Sequence, residues 1–357
     1  MPTTLDERSV IVFGAGATKA FLPDAPMLED DYGLKRLKNH FSAFPYAHQL
    51  LLFEEDRLQN GNLNIERLMT RLEGRMPYDS QDATDQQAHL LCELKREFIR
   101  KFELARRGKL HREELAQFAK ICVKNQVTCI TFNYDDVLDQ ALWEVESRYL
   151  EGPAGKSGLK YWHPDGGYGF FCRPSYITVN NTSSWMDKTS MCLLKLHGSI
   201  NWFARRGERQ PFNLDSIYHN EDWYPPKVAR TIPGLDSELI PRHLQTEPFI
   251  IPPVLDKTVL AREPILQLVW SMAKEALQAA SKIYFVGYSL PMTDLAAAYL
   301  FHETVGRKCH VVKVINLADT EDKRNEIRAS YRKVLPNLKD DQFYFDGALD
   351  WIGEITA

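Results

Sequence analysis

The first apolar stretch of the chain, Ser9–Phe13, is short and rich in β-branched residues, which predicts a buried strand of a parallel sheet. It leads directly into the small residues 14–18 and the start of a predicted helix. Similar runs predict strands at 127–132, 192–196, 283–286, 310–315 and 342–345. Helical patterns separate the last three strands, and strands that alternate with helices in this way form parallel, doubly wound sheets.

Apolar residues at three- and four-residue spacing among charged residues predict helices. These helices lie at 34–52, 65–72, 87–105, 113–123, 135–149, 263–280, 295–303 and 321–334. The first four follow one another without a strand between them, so they predict a helical insertion at about 34–124. The segments at about 151–190 and 204–250 show no clear period, and their glycines, prolines and aromatic residues predict irregular insertions.

Together these elements predict an α/β protein with a Rossmann-like, doubly wound parallel sheet in a single domain, 1–357. The parts of the chain that form the core of this domain are expected at about 1–33, 125–150, 190–203 and 250–357.

Composition excludes several classes of protein. The 44 basic and 48 acidic side chains give a formal net charge of −4, which argues against a dedicated nucleic-acid binder. With 44% hydrophobic residues the chain is typical of a folded globular protein. It has no apolar run of the roughly 18 to 20 residues that a membrane helix needs. Its first residues lack the basic segment of a secretory signal, so we expect a cytoplasmic protein without membrane contact.

The cysteines give no indication of a metal site. Six are present, and none forms the closely spaced pair that supplies two thiolates to a zinc ion. The ten histidines show no H-E-x-x-H or comparable spacing. We therefore expect free thiols in a reducing compartment and no bound metal.

Polar and small residues follow the predicted strands, at the edge where sites form in open α/β sheets. They lie in the segments GAGAT (14–18), TFNYDD (131–136), LKLHGS (194–199), GYSLP (287–291) and IN (315–316). Glycines before a helix allow a phosphate to approach its free N–H groups, although Lys19 replaces the third glycine of a dinucleotide motif. Each segment alone has a structural alternative: a tight turn at 14–18, a helix cap at Asn133 or Asp135, and a structural histidine at His197.

In their order along the chain, these segments resemble those of the sirtuin (SIR2-like) superfamily. The greatest similarity is to the SIR2-like proteins of bacterial antiphage defence systems, in which G-A-G-A-[ST], T-x-N-Y-D, K-L-H-G and G-Y-S-L-x-x-x-D occur together. The matches cover the predicted core strands across nearly the whole chain but not the insertions. This resemblance implies a single SIR2-like domain that binds NAD+.

The resemblance also implies roles for individual residues. Gly14, Ala15, Gly16 and Thr18 would hold the pyrophosphate, and Gly287, Ser289 and Asn316 would line the pyrophosphate and the adenosine ribose. Asn133 and Asp135 would hold the nicotinamide ribose, its carboxamide and an attacking water. His197 would act as the general base. Asn133 and His197 are thus the expected catalytic residues.

The chain departs from the sirtuin deacylases in three features. It lacks the two cysteine pairs of their zinc ribbon, it reads FLPDAPMLEDD where they carry a G-I-P-D-F-R-type stretch, and Phe132 replaces the glutamine of T-Q-N-x-D. These departures disfavour an acyl-lysine substrate and leave the residues that would face NAD+ in place. We therefore expect an NAD+ glycohydrolase that depletes NAD+ as the effector of a defence system. The alternatives are a non-catalytic NAD+ or ADP-ribose sensor and a divergent deacylase.

Partners are implied by the resemblance alone. SIR2-like defence proteins tend to form oligomers and to act with a separately encoded component, such as a HerA-type ATPase or an argonaute. We expect a homo-oligomer or a hetero-complex, with contacts supplied by the helical region 34–124.

Overall fold

The computed structural model describes residues 5–27, 29–58, 63–74, 76–106, 108, 110–149, 162–170, 172–174, 191–205, 217–219, 246–251, 263–291, 294–305 and 311–356. Most of the two predicted irregular insertions, and Cys309, lie outside these residues.

Six parallel strands form the main sheet of the described chain. In chain order they are β1 (Ser9–Phe13), β4 (Thr128–Thr131), β6 (Leu193–Lys195), β10 (Lys282–Val286), β11 (Val311–Ile315) and β12 (Phe343–Tyr344). Their spatial order is β12-β11-β10-β1-β4-β6, which is the 3-2-1-4-5-6 order of a Rossmann sheet read from its other edge. The predicted α/β, doubly wound parallel fold is confirmed.

Helices precede or follow each of these strands. They are α1 (Ala15–Phe21), α2 (Leu34–His40), α3 (Pro45–Leu58), α4 (Ile65–Glu73), α5 (Gln81–Arg106), α6 (Arg112–Asn125), α7 (Val137–Tyr149), α8 (Pro264–Ala279), α9 (Leu295–Thr304), α10 (Glu321–Val334) and α11 (Ala348–Thr356). Contacts join α6 to α1, α7 and α11, whereas α9 packs against α8 and α10. These two groups form the helical layers of the doubly wound core, and α2 to α5 lie in the predicted helical insertion.

The order of the strands reverses between β1 and β10. β1 pairs with β10 on one side, from Ser9 opposite Lys282 to Phe13 opposite Val286, and with β4 on the other side. All five residues of β1 are buried. In sheets of this kind the ligand crevice lies beyond the carboxyl ends of the strands at this reversal. The segments after Phe13, Thr131 and Val286 therefore meet at the edge where a site is expected.

Two local features differ from the expectation. The predicted helix at 34–52 is interrupted at Phe41, and a second helix begins at Pro45. Proline has no N–H to donate within a helix but fits its first turn, so it starts a helix more readily than it continues one. The last helix, α11, was not predicted, although its buried Trp351 and Ile352 pack into the core.

A second, four-stranded sheet lies in and around the segments predicted to be irregular. Its strands are β5 (Arg173–Pro174), β7 (Gly198–Arg205), β8 (Ile217–His219) and β9 (Thr246–Ile250), in the order β5-β8-β7-β9. The residues of β7 were expected to belong largely to the Rossmann core, but β7 pairs antiparallel with β8 and β9. Ile200, Asn201 and Trp202 in β7 are all buried, so the strand lacks the alternation that marks a half-exposed strand. A short antiparallel pair of β2 (Glu29–Asp30) and β3 (Leu63–Asn64) completes the strands described.

Buried polar side chains attach the second sheet to the turn at 162–170. Nε2 of His219 lies 2.8 Å from Oδ1 of Asp165, and both residues are buried. Nδ1 of His163 accepts a hydrogen bond from the backbone N–H of Asp165. Burial lowers the pKa of His163 to about 4, against the opposing effect of Asp165 and with a smaller contribution from His219 in the same direction. His163 is therefore neutral in the folded protein at neutral pH.

Acidification is expected to destabilise the protein through His163. Its pKa is about 4 in the folded state and 6.5 unfolded, so the unfolded state binds the extra proton and stability falls between these pH values. His163→Asn keeps an acceptor near Nδ1 without titrating. In urea unfolding at several pH values, we expect the wild type to lose up to about 3 kcal/mol more than this variant between pH 7 and pH 4. Equal pH dependence in the two proteins would contradict the buried neutral state.

Candidate functional site

Two loops pack backbone against backbone at the strand reversal. The N–H of Gly14 donates to the carbonyl of Val286 at 3.1 Å, and the N–H of Gly16 donates to the carbonyl of Gly287 at 2.8 Å. A Cβ placed on Gly14 would lie 2.4 Å from Cα of Tyr288, and one on Gly287 would lie 2.0 Å from the backbone N of Ala17. Gly287 also has a φ of +62°. The glycines are therefore required for the close approach of the two loops, whatever they bind.

The exposed surface at this contact is formed by Ala15, Gly16 and Ser289, with Gly287 half-buried. The N–H groups of Gly14 and Gly16 already have backbone acceptors. These two expected phosphate-binding residues thus shape the loop, and the polar side chain exposed beside it belongs to Ser289.

The loop after β4 connects to the same place through its side chains. Nδ2 of Asn133 donates to the carbonyl of Gly14 and to Oγ1 of Thr18, both at 2.8 Å. The hydroxyl of Thr18 donates in turn to Oδ2 of Asp135 at 2.5 Å. Four of the residues expected from the sequence, Gly14, Thr18, Asn133 and Asp135, therefore form one hydrogen-bonded group.

Asp135 is a buried carboxylate within this group. Besides the bond from Thr18, its Oδ1 accepts the backbone N–H of Val137 at 3.2 Å, at the start of α7. Burial raises the pKa of Asp135, while the positive charge of Lys195 and the hydrogen bonds from Thr18 and Val137 act in the opposite direction. Asp135 therefore caps the following helix, as one interpretation of the sequence predicted, and it also contacts Thr18.

A cavity lies beside these residues. Its lining includes Thr18, Asn133, Asp135 and Asp139, together with Thr131 at the end of β4 and apolar side chains of β1, α1, β6 and α7. The side chains of Asn133 and Asp135 therefore line the same cavity, whose volume of about 20 Å³ gives room for about one water molecule and not for a dinucleotide.

His197 lies on the other side of the Asn133 loop. Its ring contacts Phe132 at 5.5 Å and Tyr134 at 6.0 Å between centroids, so both neighbours of Asn133 in the chain touch it. Trp270 contacts it at 6.4 Å, and the indole N–H of Trp270 donates to the carbonyl of Leu196. The imidazole is only 4% exposed. The structure therefore places His197 next to the Asn133 loop, within a group of aromatic rings.

Asn316 occupies the opposite flank of the strand reversal. Its Nδ2 donates to the carbonyl of Tyr288 at 3.1 Å, and the hydroxyl of Tyr331 donates to the same carbonyl at 2.7 Å. Asn316 therefore holds the GYS loop in place. Ser289 follows Tyr288 directly and is exposed.

Several residues that shape the site were not identified in the sequence. The ring of Phe132 stacks on that of Tyr288 at 4.7 Å, across the end of β1. Lys195 is fully buried and pairs with Asp139, 3.1 Å away. The lysine in the apolar strand CLLKL was a visible signal, because a charged side chain in a buried strand needs a partner.

Neither a metal centre nor a membrane helix is found in the described part of the chain. No cluster of three or more His, Cys, Asp or Glu side chains there is arranged to hold a metal ion. Cys92, Cys122, Cys129, Cys172 and Cys192 are free thiols. Among the helices described, none is sufficiently long and apolar to cross a bilayer.

Comparison with known proteins gives matches only among solved structures. No family model matches the chain, and no curated protein matches it. A Sir2 homologue in complex with NAD is 12% identical, with a TM-score of 0.46, over 98% of this chain and 87% of that one. A mutant Sir2 homologue with 2'-O-acetyl ADP-ribose is 11% identical, with a TM-score of 0.45, over 97% of this chain and 91% of that one. Sir2Tm bound to a propionylated peptide is 14% identical, with a TM-score of 0.37, over 97% of this chain and 91% of that one.

The contact between the two glycine loops can be tested by adding one methyl group. We expect Gly287→Ala to lower the free energy of unfolding by more than about 2 kcal/mol, since the Cβ overlaps backbone and the φ is positive. Gly353→Ala in α11 is the matched control, because nothing lies within 4 Å of its Cβ. It should stabilise the protein by roughly 0.5–1 kcal/mol. Urea unfolding measures both, and equal stabilities would contradict the described contact.

The burial of Asp135 makes its contribution to stability depend on pH in the opposite direction from that of His163. A raised pKa means that the folded state holds the proton more tightly, so this residue's contribution to stability falls as pH rises through the folded pKa. Asp135→Asn removes the titration. We expect the stability of the variant relative to wild type to increase from pH 4 to pH 7 in thermal unfolding. A constant difference between the two proteins would show that Asp135 is not desolvated.

Proposed function

We propose that the chain hydrolyses NAD+ to nicotinamide and ADP-ribose. The observation that carries this proposal is the hydrogen-bonded group of Gly14, Thr18, Asn133 and Asp135, which lies beyond the carboxyl ends of β1 and β4, next to the strand reversal of a Rossmann-ordered sheet. Dinucleotides bind at this position in sheets of this topology. The group offers two acceptors to a ligand: the side-chain oxygen of Asn133, whose two N–H groups are used within the group, and the carboxylate of Asp135.

Cleavage of the bond between nicotinamide and ribose depends mainly on how the enzyme positions the ribose and a water molecule. Nicotinamide leaves NAD+ as a neutral molecule, so its departure needs no strong acid. The ribose must be held still, and the cationic charge that develops on it must be stabilised. In our proposal the amide of Asn133 orients the ribose and a water molecule, and the carboxylate of Asp135 lies near the developing charge. The water oxygen bonds to C1′, and its proton passes to a base.

We assign the base to His197. The residue follows β6 and touches both neighbours of Asn133, which supports a position next to the nicotinamide ribose. Its aromatic surroundings mean that the ribose reaches the imidazole only when Phe132, Tyr134 or Trp270 shifts. We propose that the packed arrangement is a resting state, in keeping with an effector of antiphage defence that depletes NAD+ after activation. In this proposal Ser289 and Asn316 serve the pyrophosphate and the adenosine ribose.

The burial of His197 also favours a second candidate, a non-catalytic NAD+ or ADP-ribose sensor. An imidazole that stays 4% exposed after ligand binding would not exchange protons with a substrate. Calorimetry that shows NAD+ binding without turnover, with and without the products of neighbouring genes, would support the sensor.

The proposed activity is tested by chromatography of nicotinamide released from NAD+, with and without the products of neighbouring genes. Those products would include any HerA-type ATPase or other partner with which the chain assembles. We expect Asn133→Ala and His197→Ala each to lower the rate by roughly 10²- to 10⁴-fold, because each removes a group that acts on the reacting atoms. His302→Ala, on the exposed side of α9, is the control and should leave the rate unchanged.

Two results would contradict this assignment. Both variants releasing nicotinamide at the wild-type rate would remove Asn133 and His197 from catalysis. Release that depends on an acetylated peptide, with deacylation of that peptide, would show a deacylase instead.

A further inference from the structure

Lys195 is a buried cation whose three donors are all used at the site. Its side chain is fully buried in β6. The ammonium donates to the carbonyl of Asp135 at 2.6 Å and to Oδ1 and Oδ2 of Asp139, both at 3.1 Å. One of its three acceptors is therefore a main-chain carbonyl of the proposed NAD+ site, that of Asp135, two residues after Asn133.

This arrangement is costly for a purely structural contact. Removal of an ammonium and a carboxylate from water is unfavourable for each ion, and well-packed apolar pairs are often at least as stable. Asp139 is 1% exposed, and its Oδ1 also accepts the hydroxyl of Tyr168 at 2.6 Å. The pair thus keeps two charges where two apolar side chains would support the fold.

Residues 132–136, which form the Asn133 loop, belong to neither a strand nor a helix. The ends of the loop are held by the N–H of Phe132, which donates to the carbonyl of Phe13, and by the carbonyl of Asp136, which accepts the N–H of Gln140. The carbonyls between these ends need other partners. The carbonyl of Tyr134 accepts the N–H of Ile200 at 2.8 Å. The next carbonyl, that of Asp135, accepts Lys195. Two successive carbonyls are therefore held from β7 and β6, and this fixes the direction in which the side chains of Asn133 and Asp135 leave the chain.

A polar chain extends this support to the second sheet. Nδ2 of Asn201 donates to the hydroxyl of Tyr168 at 3.0 Å, and the hydroxyl of Ser199 donates to Oδ1 of Asn201. Tyr168 then donates to Asp139. The turn at 162–170 and strand β7 are thereby connected to the ammonium of Lys195.

We propose that Lys195 is a positioning residue for NAD+ hydrolysis, which holds the main chain of Asp135 and is itself held by Asp139. This inference rests on the proposed function for its effect on catalysis, but its effect on the loop stands alone. Lys195 acts through Asn133 and Asp135 and does not touch the reacting atoms.

The test compares Lys195→Met with the double variant Lys195→Met/Asp139→Leu. The single variant leaves a buried carboxylate without its cation and is expected to be strongly destabilised. The double variant removes both charges and should recover most of the thermal stability. It still lacks the donor to the Asp135 carbonyl, so we expect kcat for nicotinamide release to stay roughly 10- to 100-fold below wild type. KM should change far less, because Ser289 and Asn316, the proposed contacts to the pyrophosphate and the adenosine ribose, follow β10 and β11 and are not held by Lys195.

Hydrogen exchange of the loop amides gives a second readout. In both variants the amides of Asn133 and Val137, which donate to Thr131 Oγ1 and Asp135 Oδ1, should exchange faster than in wild type. Lys274→Met is the matched control, since Lys274 pairs with Glu303 at 2.9 Å on the surface. It should change neither exchange nor kcat.

The outcomes separate the two proposals. A double variant with wild-type kcat and wild-type exchange at these amides would overturn the positioning role. Wild-type protein that neither binds NAD+ nor releases nicotinamide would overturn the proposed function, and the exchange measurement would still decide whether Lys195 holds the loop.

Discussion

The contact between the glycine loops after β1 and β10 is the constraint on which the site depends. It brings Gly14 and Gly16 within hydrogen-bonding distance of Val286 and Gly287, with no room for a side chain between them. Because these strands are neighbours at the strand reversal, the contact joins the two halves of the sheet where their crossovers diverge. α1 then begins next to the Asn133 loop, and Thr18 comes within reach of Asn133 and Asp135.

The polar side chains at this edge convert the close packing into a defined site. Buried polar groups are costly without partners, so a fully satisfied network specifies one arrangement of the loops that carry it. Thr18 accepts from Asn133 and donates to Asp135 with a single hydroxyl, which fixes the direction of both bonds. A serine at position 18 would keep these bonds, whereas a valine would leave the amide and the carboxylate without their shared partner.

Sequence reasoning succeeded where one local pattern decides the structure. Strands β1 and β10 are short apolar runs buried on both faces, and the parallel sheet follows from their alternation with helices. The second sheet could not be predicted, because β7 is buried without alternation and its partners are distant in sequence. The grouping of Gly14, Thr18, Asn133 and Asp135 followed from their places at strand ends. The pairing of Lys195 with Asp139 requires the packing of α7 on β6, which no local pattern shows.

The charges around the Asn133 loop are consistent with the proposed reaction. Asp135, Asp139 and Lys195 lie together in a buried environment, and with both carboxylates ionised their sum is one negative charge. Burial raises the pKa of Asp135 more than the charge of Lys195 lowers it. Because Lys195 contacts the main-chain carbonyl of Asp135, its carboxylate would gain from a closer counter-charge. A ribose that gains positive charge as nicotinamide departs would provide that counter-charge only during the reaction. An interaction that stabilises the transition state and not the resting protein accelerates a reaction. Because Asp139 holds the ammonium of Lys195, the carboxylate of Asp135 remains available for such an interaction with the ribose.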